Sequence, residues 1–271
     1  MHGYCHARGR YGQELEMVSY REKGNGNPLV LIHGFCETNR IWDRFADDLS
    51  LSCRVLTPDL PGFGHSPLPT PPFSIRDIGL KVLEWLDDLH LTKSVVIGHS
   101  LGGYVALAMV AQQSERFVGF GLFHSTASAD SREKKENRNK IIDFVARNGV
   151  RPFIDTFVPG LFHQKKNPFI PEVYKIASQT TAQTLIAYAE AMRDRPSAED
   201  VVRSFAKPIL MIAGEHDTVI PYDRSSQQAD LMQFPFFCGL TNVGHMGMFE
   251  NEPTSLKIVK DFMNLALDFN A

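Results

Sequence analysis

The sequence has little of what would indicate a metal centre, a disulfide framework or a membrane protein. Its four cysteines form no C-x-x-C pair and no Cys/His cluster at metal-ligand spacing, so neither a zinc site nor a set of disulfides is implied. No apolar run approaches the length of a bilayer crossing, and the first ten residues lack the apolar core of a secretory signal. We therefore expect a cytoplasmic protein with free thiols and no membrane association.

Strong charge of either sign is also missing. A formal net charge of −3 gives no reason to expect nucleic acid or an anionic membrane as a partner. The glycine-rich segment at 59–66 contains neither G-K-[ST] nor G-x-G-x-x-G, which argues against nucleotide binding. The partner expected from these absences is a small, largely uncharged molecule, and no cofactor or metal is expected.

What the sequence does contain is an alternation of short apolar runs with amphipathic stretches. The apolar runs predict strands, and the stretches between them carry apolar residues at helical spacing. The predicted strands lie at 28–34, 54–59, 95–97, 117–123, 208–214 and 236–240, after an earlier, partly exposed strand at 13–21. Strands separated by long helices imply βαβ units, so we predict an α/β fold with a mostly parallel central sheet flanked by helices.

Two helices have clear sequence signals. Ser74 and Asp77 resemble a capping box at the start of one helix, and Pro253 marks the start of the last one. Spacing predicts a buried stripe on each helix. The stripes are Ile75, Ile78, Val82, Leu86 and Leu89 on the first, and Ile258, Val259, Phe262, Leu265, Ala266 and Phe269 on the last.

The alternation stops between about residues 125 and 205. This part holds a charged run at 130–140, helical stretches at 141–150, 173–177 and 181–193, and a segment rich in Phe and Pro at 152–171. We predict a helical cap at 125–205, inserted between two parts of the α/β core at 13–124 and 206–271. The charged run is expected to be a solvated face, and the Phe residues form either cap core or an apolar pocket lining.

One stretch carries the chemistry most directly. Residues 95–97 are a β-branched run that breaks at Gly98, presents Ser100 and continues past Gly102 into an apolar helix. This is the G-x-S-x-G pattern of a nucleophile elbow, in which the serine sits at a sharp strand-to-helix corner. Glycines are needed there because side chains would collide with the neighbouring strand and the incoming helix.

A serine nucleophile needs a base and a carboxylate that orients the base. Asp217 follows a later predicted strand and His245 follows the next one, so the three residues lie beyond the carboxyl ends of strands. We therefore predict a catalytic set of Ser100, Asp217 and His245. Glu215, on the same loop, and Asp130, beyond the strand after the elbow, are the rival carboxylates.

The sequence resembles cap-bearing serine hydrolases of the α/β-hydrolase fold family, carboxylesterases in particular. The resemblance rests on His33-Gly34-Phe35, Asp59-Leu60-Pro61-Gly62-Phe63-Gly64-His65-Ser66, Gly98-His99-Ser100-Leu101-Gly102-Gly103, Gly214-Glu215-His216-Asp217 with Pro221, and Gly244-His245. It implies that the N–H groups of Phe35 and Leu101 form the oxyanion hole. His33 and His99 are expected to brace their loops rather than titrate in catalysis.

The expected reaction is hydrolysis of a small, largely apolar carboxylic ester through an acyl-enzyme on Ser100. A serine at this position argues against similar haloalkane dehalogenases and epoxide hydrolases, which use aspartate. Three alternatives stay open: carbon–carbon bond hydrolysis of ring-cleavage diketones, perhydrolase activity as a side reaction, and a non-catalytic ligand-binding member of the fold.

Overall fold

One eight-stranded sheet organises the computed structural model, which describes residues 2–3 and 18–270. The strands are β1 (His2–Gly3), β2 (Tyr20–Lys23), β3 (Pro28–Ile32), β4 (Arg54–Pro58), β5 (Ser94–His99), β6 (Phe117–Phe123), β7 (Ile209–Gly214) and β8 (Pro235–Leu240). Their order is β1-β2-β4-β3-β5-β6-β7-β8. The pairings from β4 through β8 are parallel, and β2 runs antiparallel to its two neighbours. The predicted α/β class is therefore confirmed.

The early strand overlaps the prediction in the described part of the chain, where it covers Tyr20–Lys23 and ends two residues later than predicted. Residues 13–17 of the predicted strand lie outside the described residues. The central strands match the predictions closely, since β5 is buried along its whole length and β7 likewise. Strands covered on both faces need continuous apolar runs, which is why these segments were recognisable.

Helices flank the sheet and fill the connections. They are α1 (Asp43–Leu49), α2 (Ile75–Asp88), α3 (Leu101–Gln112), α4 (Arg132–Asn148), α5 (Arg151–Leu161), α6 (Ile170–Ala177), α7 (Ala182–Asp194), α8 (Glu199–Ser204), α9 (Tyr222–Ala229), α10 (Gly247–Glu250) and α11 (Glu252–Phe269). Short 3-10 turns occupy Asn39–Trp42 and Ser114–Arg116. In the described residues, no helix combines the length and apolarity that a membrane crossing requires.

The capping box at α2 forms as predicted. The Ser74 hydroxyl accepts the Asp77 N–H at 3.2 Å, and the Ser74 N–H donates to the Asp77 carboxylate at 2.8 Å. These two bonds satisfy backbone donors that a helix start leaves without intrahelical acceptors. The Asp77 pKa is lowered, chiefly because the Ser74 N–H and hydroxyl hydrogen-bond to the ionised carboxylate.

The buried stripe predicted for α11 is partly wrong. Leu265 and Phe269 are 39% and 43% exposed, whereas Val259, Phe262 and Ala266 are buried. The buried face of α11 continues through Met263 and Ala266, so Leu265 lies beside this face rather than on it, and Phe269 is the last residue of the helix. Phe269 instead packs against the exposed ring of Phe234, the residue before β8, with ring centroids 4.7 Å apart.

Five helices, α4 to α8, lie between β6 and β7, where the inserted segment was expected. The charged run and the helical stretch after it form one helix, α4, because nothing in 132–148 breaks the backbone. The prediction of a solvated face is wrong for Asp130, which is buried. α7 packs on the glycine-rich loop, where the Tyr188 hydroxyl donates to the Pro61 carbonyl at 2.7 Å.

Candidate active site

Ser100 stands at the corner between β5 and α3 in a left-handed backbone conformation. Its φ is 49°, a region that costs energy for any residue with a Cβ, and its N–H donates to the Phe123 carbonyl at 3.0 Å. A Cβ on Gly98 would collide with the backbone of Gly102, and a Cβ on Gly102 would collide with the Ile32 carbonyl. The two glycines are therefore required by the packing of α3 against β5 and β3.

His245 and Asp217 form a hydrogen-bonded pair beyond the ends of β8 and β7. His245 Nδ1 lies 2.7 Å from Asp217 Oδ2, and both residues are buried. The other carboxylate oxygen accepts the N–H groups of Val219 and Ile220 at 2.8 and 2.9 Å. Burial by itself would raise the Asp217 pKa, but the facing imidazoles of His245 and His124 hold that pKa well below its usual range. Asp217 is thus a fixed, ionised acceptor.

The rival carboxylates lie in other environments. Asp130 is held by Arg138 and by Arg195, whose guanidinium donates to it at 2.8 Å. Burial favours the neutral form of Asp130, but these guanidiniums lower its pKa. Glu215 is exposed. Of the three candidates, Asp217 is the one that is hydrogen-bonded to the imidazole.

A second imidazole, His124, also faces Asp217. It directly follows β6 with a φ of 49°, and its Nδ1 lies 3.3 Å from Asp217 Oδ2, off the axis of a linear hydrogen bond. The Gly247 N–H donates to Nε2 at 3.2 Å, so the ring is neutral with its proton on Nδ1. Burial lowers the His124 pKa to about 4. Sequence reasoning missed this residue because a lone histidine after a strand has no distinctive pattern.

His124, Asp217 and His245 are also the described side chains that could together hold a metal ion. Their nearest ligand atoms all lie within 4.8 Å of one another. A metal-ligating imidazole must present a nitrogen lone pair, yet Nδ1 of His124 keeps its proton because the Gly247 N–H occupies Nε2. The arrangement therefore fits a hydrogen-bonded cluster better than a metal centre.

The two expected oxyanion donors belong to separate elements. Leu101 is the first residue of α3, so its N–H has no intrahelical acceptor, and Phe35 lies in the loop after β3. His33 braces that loop as expected. Its Nδ1 donates to the Gly34 carbonyl at 2.8 Å, and its Nε2 accepts the Leu60 N–H at 2.9 Å. Burial is the main cause of its lowered pKa, and the ring is neutral.

Aromatic rings of α5 reach the loop after β3. Phe157 meets Phe35 edge to face at 6.0 Å between centroids, and Phe153 stacks on Phe157 at 4.9 Å. Phe162 is fully buried and packs near Phe249. Phe162 is thus part of the core, whereas Phe157 lies beside the loop of Phe35, a predicted site residue, and its role as a pocket lining stays a prediction.

The segment after α5 is tied to the His245 loop. The His245 N–H donates to the Leu161 carbonyl at 2.7 Å. The Glu250 carboxylate accepts the N–H groups of His163 and Gly244 at 2.7 and 2.9 Å. Through these bonds the inserted helices fix the backbone on which His245 stands.

A parallel sheet with a serine at a strained corner, followed by a carboxylate and an imidazole beyond later strands, is typical of one class of hydrolases. Residues 29–255, which are most of the chain, match the Alpha/beta hydrolase family. The chain belongs to the alpha/beta hydrolase family.

The proteins that this chain is similar to are named for different activities. The chain is 26% identical to the 2-hydroxymuconate semialdehyde hydrolase of Pseudomonas sp. (strain CF600), over 93% of each protein. It is 27% identical to the dihydrolipoyllysine-residue acetyltransferase component of the acetoin cleaving system of Pseudomonas putida, over 83% of this chain but only 60% of that protein. A thermophilic esterase from Thermogutta terrifontis superposes with a TM-score of 0.87 at 25% identity, over 92% of this chain and 93% of the esterase.

Proposed function

We propose that the protein is a serine hydrolase that cleaves carboxylic esters of small, largely apolar substrates. The observation that carries this proposal is the 2.7 Å bond between His245 Nδ1 and the buried Asp217 carboxylate, on the sheet edge where Ser100 occupies a strained corner. With Nδ1 held by Asp217, the proton-accepting nitrogen of His245 is Nε2.

In the proposed reaction, Ser100 Oγ attacks the ester carbonyl while His245 Nε2 accepts the hydroxyl proton. The resulting oxyanion is stabilised by the N–H groups of Phe35 and Leu101. His245 then gives its proton to the departing alcohol, which leaves an acyl group on Ser100. A water molecule, deprotonated by His245, attacks the acyl carbonyl and releases the acid and the free serine.

An apolar substrate fits the side chains beside the loop of Phe35. Phe157 lies edge to face against Phe35 and is only partly buried, so its ring offers apolar surface next to the proposed oxyanion hole. We propose that the helices between β6 and β7 act as a cap, in which α5 lines the acyl side of the pocket. A substrate of this kind needs no charged side chain of the protein to bind it.

Hydrolysis of p-nitrophenyl esters of short and medium chain length tests the proposal. For Ser100→Ala we expect kcat to fall by about 10⁴-fold or more, and for Asp217→Asn by about 10⁴-fold, because the base loses its orientation. Glu215→Gln, an exposed change on the same loop as Asp217, is the matched control and should keep wild-type kcat. Ester turnover that survives Ser100→Ala would contradict the mechanism.

A carbon–carbon bond hydrolase is the second candidate. The full-length similarity to the 2-hydroxymuconate semialdehyde hydrolase favours it specifically. Assay of a ring-cleavage diketone beside the esters decides between them. A higher kcat/KM for the ester supports the proposed function, and a higher value for the diketone supports the alternative.

A further inference from the structure

A buried glutamate and a buried histidine connect three loops of the candidate site. Glu37 and His99 are 2% and 1% exposed, and Glu37 Oε2 lies 3.0 Å from His99 Nδ1. The same carboxylate oxygen accepts the Gly34 N–H at 2.5 Å. On the other side of the ring, His99 Nε2 lies 2.9 Å from the His245 carbonyl oxygen. The ring itself directly precedes Ser100.

The partners of this imidazole determine its proton count. A carboxylate and a backbone carbonyl both only accept hydrogen bonds, so each ring nitrogen of His99 needs a proton to bond its partner. A neutral ring would place a lone pair against one of the two oxygens unless Glu37 carried the proton, and the Gly34 N–H donated to the same Glu37 oxygen favours its ionised form. We infer that Glu37 holds His99 as an imidazolium, and that this ion pair is a positioning unit that fixes the loop of Gly34 relative to the backbone of His245.

Two other buried histidines provide the contrast. His33 and His124 each accept a backbone N–H on Nε2, from Leu60 and Gly247 respectively, so each is neutral. Burial is similar for all three rings, and what differs is the chemistry of the facing groups. His99 alone among these three has acceptors at both nitrogens.

The surrounding charges support the assignment. Burial lowers the His99 pKa, but the Glu37 carboxylate, the His245 carbonyl and the more distant Asp217 together raise it above its ordinary value. Burial likewise raises the Glu37 pKa, and the His99 charge and hydrogen bond lower it. The remaining titratable groups around the ring are the imidazoles of His33, His124 and His245.

This role rests on the proposed function, because the unit aligns the expected oxyanion donor with the expected base. Gly34 precedes the expected oxyanion donor Phe35, while His245 is the expected base. A loop displaced by a fraction of an ångström weakens both the oxyanion contacts and the proton transfer, which costs rate rather than substrate affinity. Neither Glu37 nor His99 has to touch the substrate for this.

NMR of protein with ¹⁵N-labelled histidine tests the charge state directly. Near neutral pH, wild-type His99 should show protons on both ring nitrogens, whereas His33 and His124 should show one each. Glu37→Gln should remove the doubly protonated signal, and Glu37→Asp should retain it because the charge remains. A neutral His99 in the wild type would overturn the inference, whether or not any variant folds.

Ester kinetics on the same proteins test the positioning role. Glu37→Gln should lower kcat about tenfold or more with KM changed less than about threefold, and Glu37→Asp should recover part of the rate. Glu84→Gln, an exposed change on α2, is the matched control and should leave both constants unchanged. A wild-type kcat in Glu37→Gln would overturn the role. If the wild type hydrolyses no ester, the proposed function fails, while the two ring N–H signals still decide the state of His99.

Discussion

The Arg195 guanidinium lies 3.8 Å above the ring of Tyr104, a residue of the helix that follows Ser100. The same guanidinium donates to Asp130 and to the carbonyls of Met192 and Ser128, at 2.7 to 2.9 Å. One buried side chain therefore connects the segment before α4, the end of α7 and α3, the helix that follows Ser100. A cation over an aromatic face and a paired buried carboxylate both contribute to this attachment.

Arg195→Ala should destabilise the fold. It leaves the buried Asp130 carboxylate with Arg138 as its remaining guanidinium partner, and we expect a loss of about 3 kcal/mol in the free energy of unfolding. The control is Arg132→Ala, at a side chain that is 94% exposed, which should change the free energy of unfolding by less than about 0.5 kcal/mol. Urea denaturation of both variants measures the difference, and equal stabilities would contradict the anchoring role.

Phe157→Ala should reduce the preference for longer acyl chains. Removing the ring beside Phe35 exposes acyl methylenes to water, and each buried methylene contributes about 0.8 kcal/mol. We expect kcat/KM for a medium-chain ester to fall about tenfold relative to the acetate. Phe144→Ala, at a ring that is 42% exposed, is the control. An unchanged chain-length profile would mean that Phe157 does not line the pocket.

The Glu37–His99 pair predicts a pH dependence of stability. The His99 pKa is raised above 6.5, so its contribution is complete below that pH and is lost as pH rises through the folded-state pKa. The Glu37 pKa is lowered from 4.5, so its contribution is present above that pH and is lost as pH falls through the folded-state pKa.

The difference in melting temperature between the wild type and Glu37→Gln should therefore be largest between pH 4.5 and 6.5. Above that window it should narrow as His99 loses its proton. Thermal melts at several pH values measure it. A difference that stays constant across the range would show that the pair is not ionised in the folded protein.

Chelation should leave ester hydrolysis unchanged. Nε2 of the His124 imidazole accepts the Gly247 N–H and Nδ1 keeps its proton, so His124 presents no free lone pair to a metal ion beside Asp217. Assays before and after treatment with a chelator measure this. Activity that is lost with the chelator and restored by added zinc or manganese would contradict the interpretation.

Local signals account for what the sequence predicted well. The buried strands are continuous apolar runs, the capping box at Ser74 needs only an acidic residue three positions later, and the elbow needs Gly98 and Gly102 at fixed positions. In the last helix, helical spacing predicted burial of Leu265 and Phe269, which are exposed although Ala266 between them is buried. Spacing indicates which face of a helix is apolar, but not how wide the covered part of that face is.

Contacts between distant segments could not be predicted in this way. Glu37 is 62 residues from its partner His99, and a single glutamate in a loop has no pattern of its own. His124 and Asp217 come together only because β6 and β7 are adjacent parallel strands that end at one edge. The position of Asp217 after a predicted strand indicated that it lies at this edge of the sheet. The charge state of each buried group could not be predicted, because it depends on the atoms that face the group.

Reaction with a fluorophosphonate probe, followed by mass mapping, tests the central claim most directly. The probe phosphonylates serines that are activated by a neighbouring base, and fluoride is the leaving group. We predict one adduct on Ser100 in the folded wild type, no adduct in Ser100→Ala, and much slower labelling of Asp217→Asn. A wild type that is folded yet unlabelled at Ser100, or labelled at another serine, would contradict the assignment of Ser100 as the nucleophile.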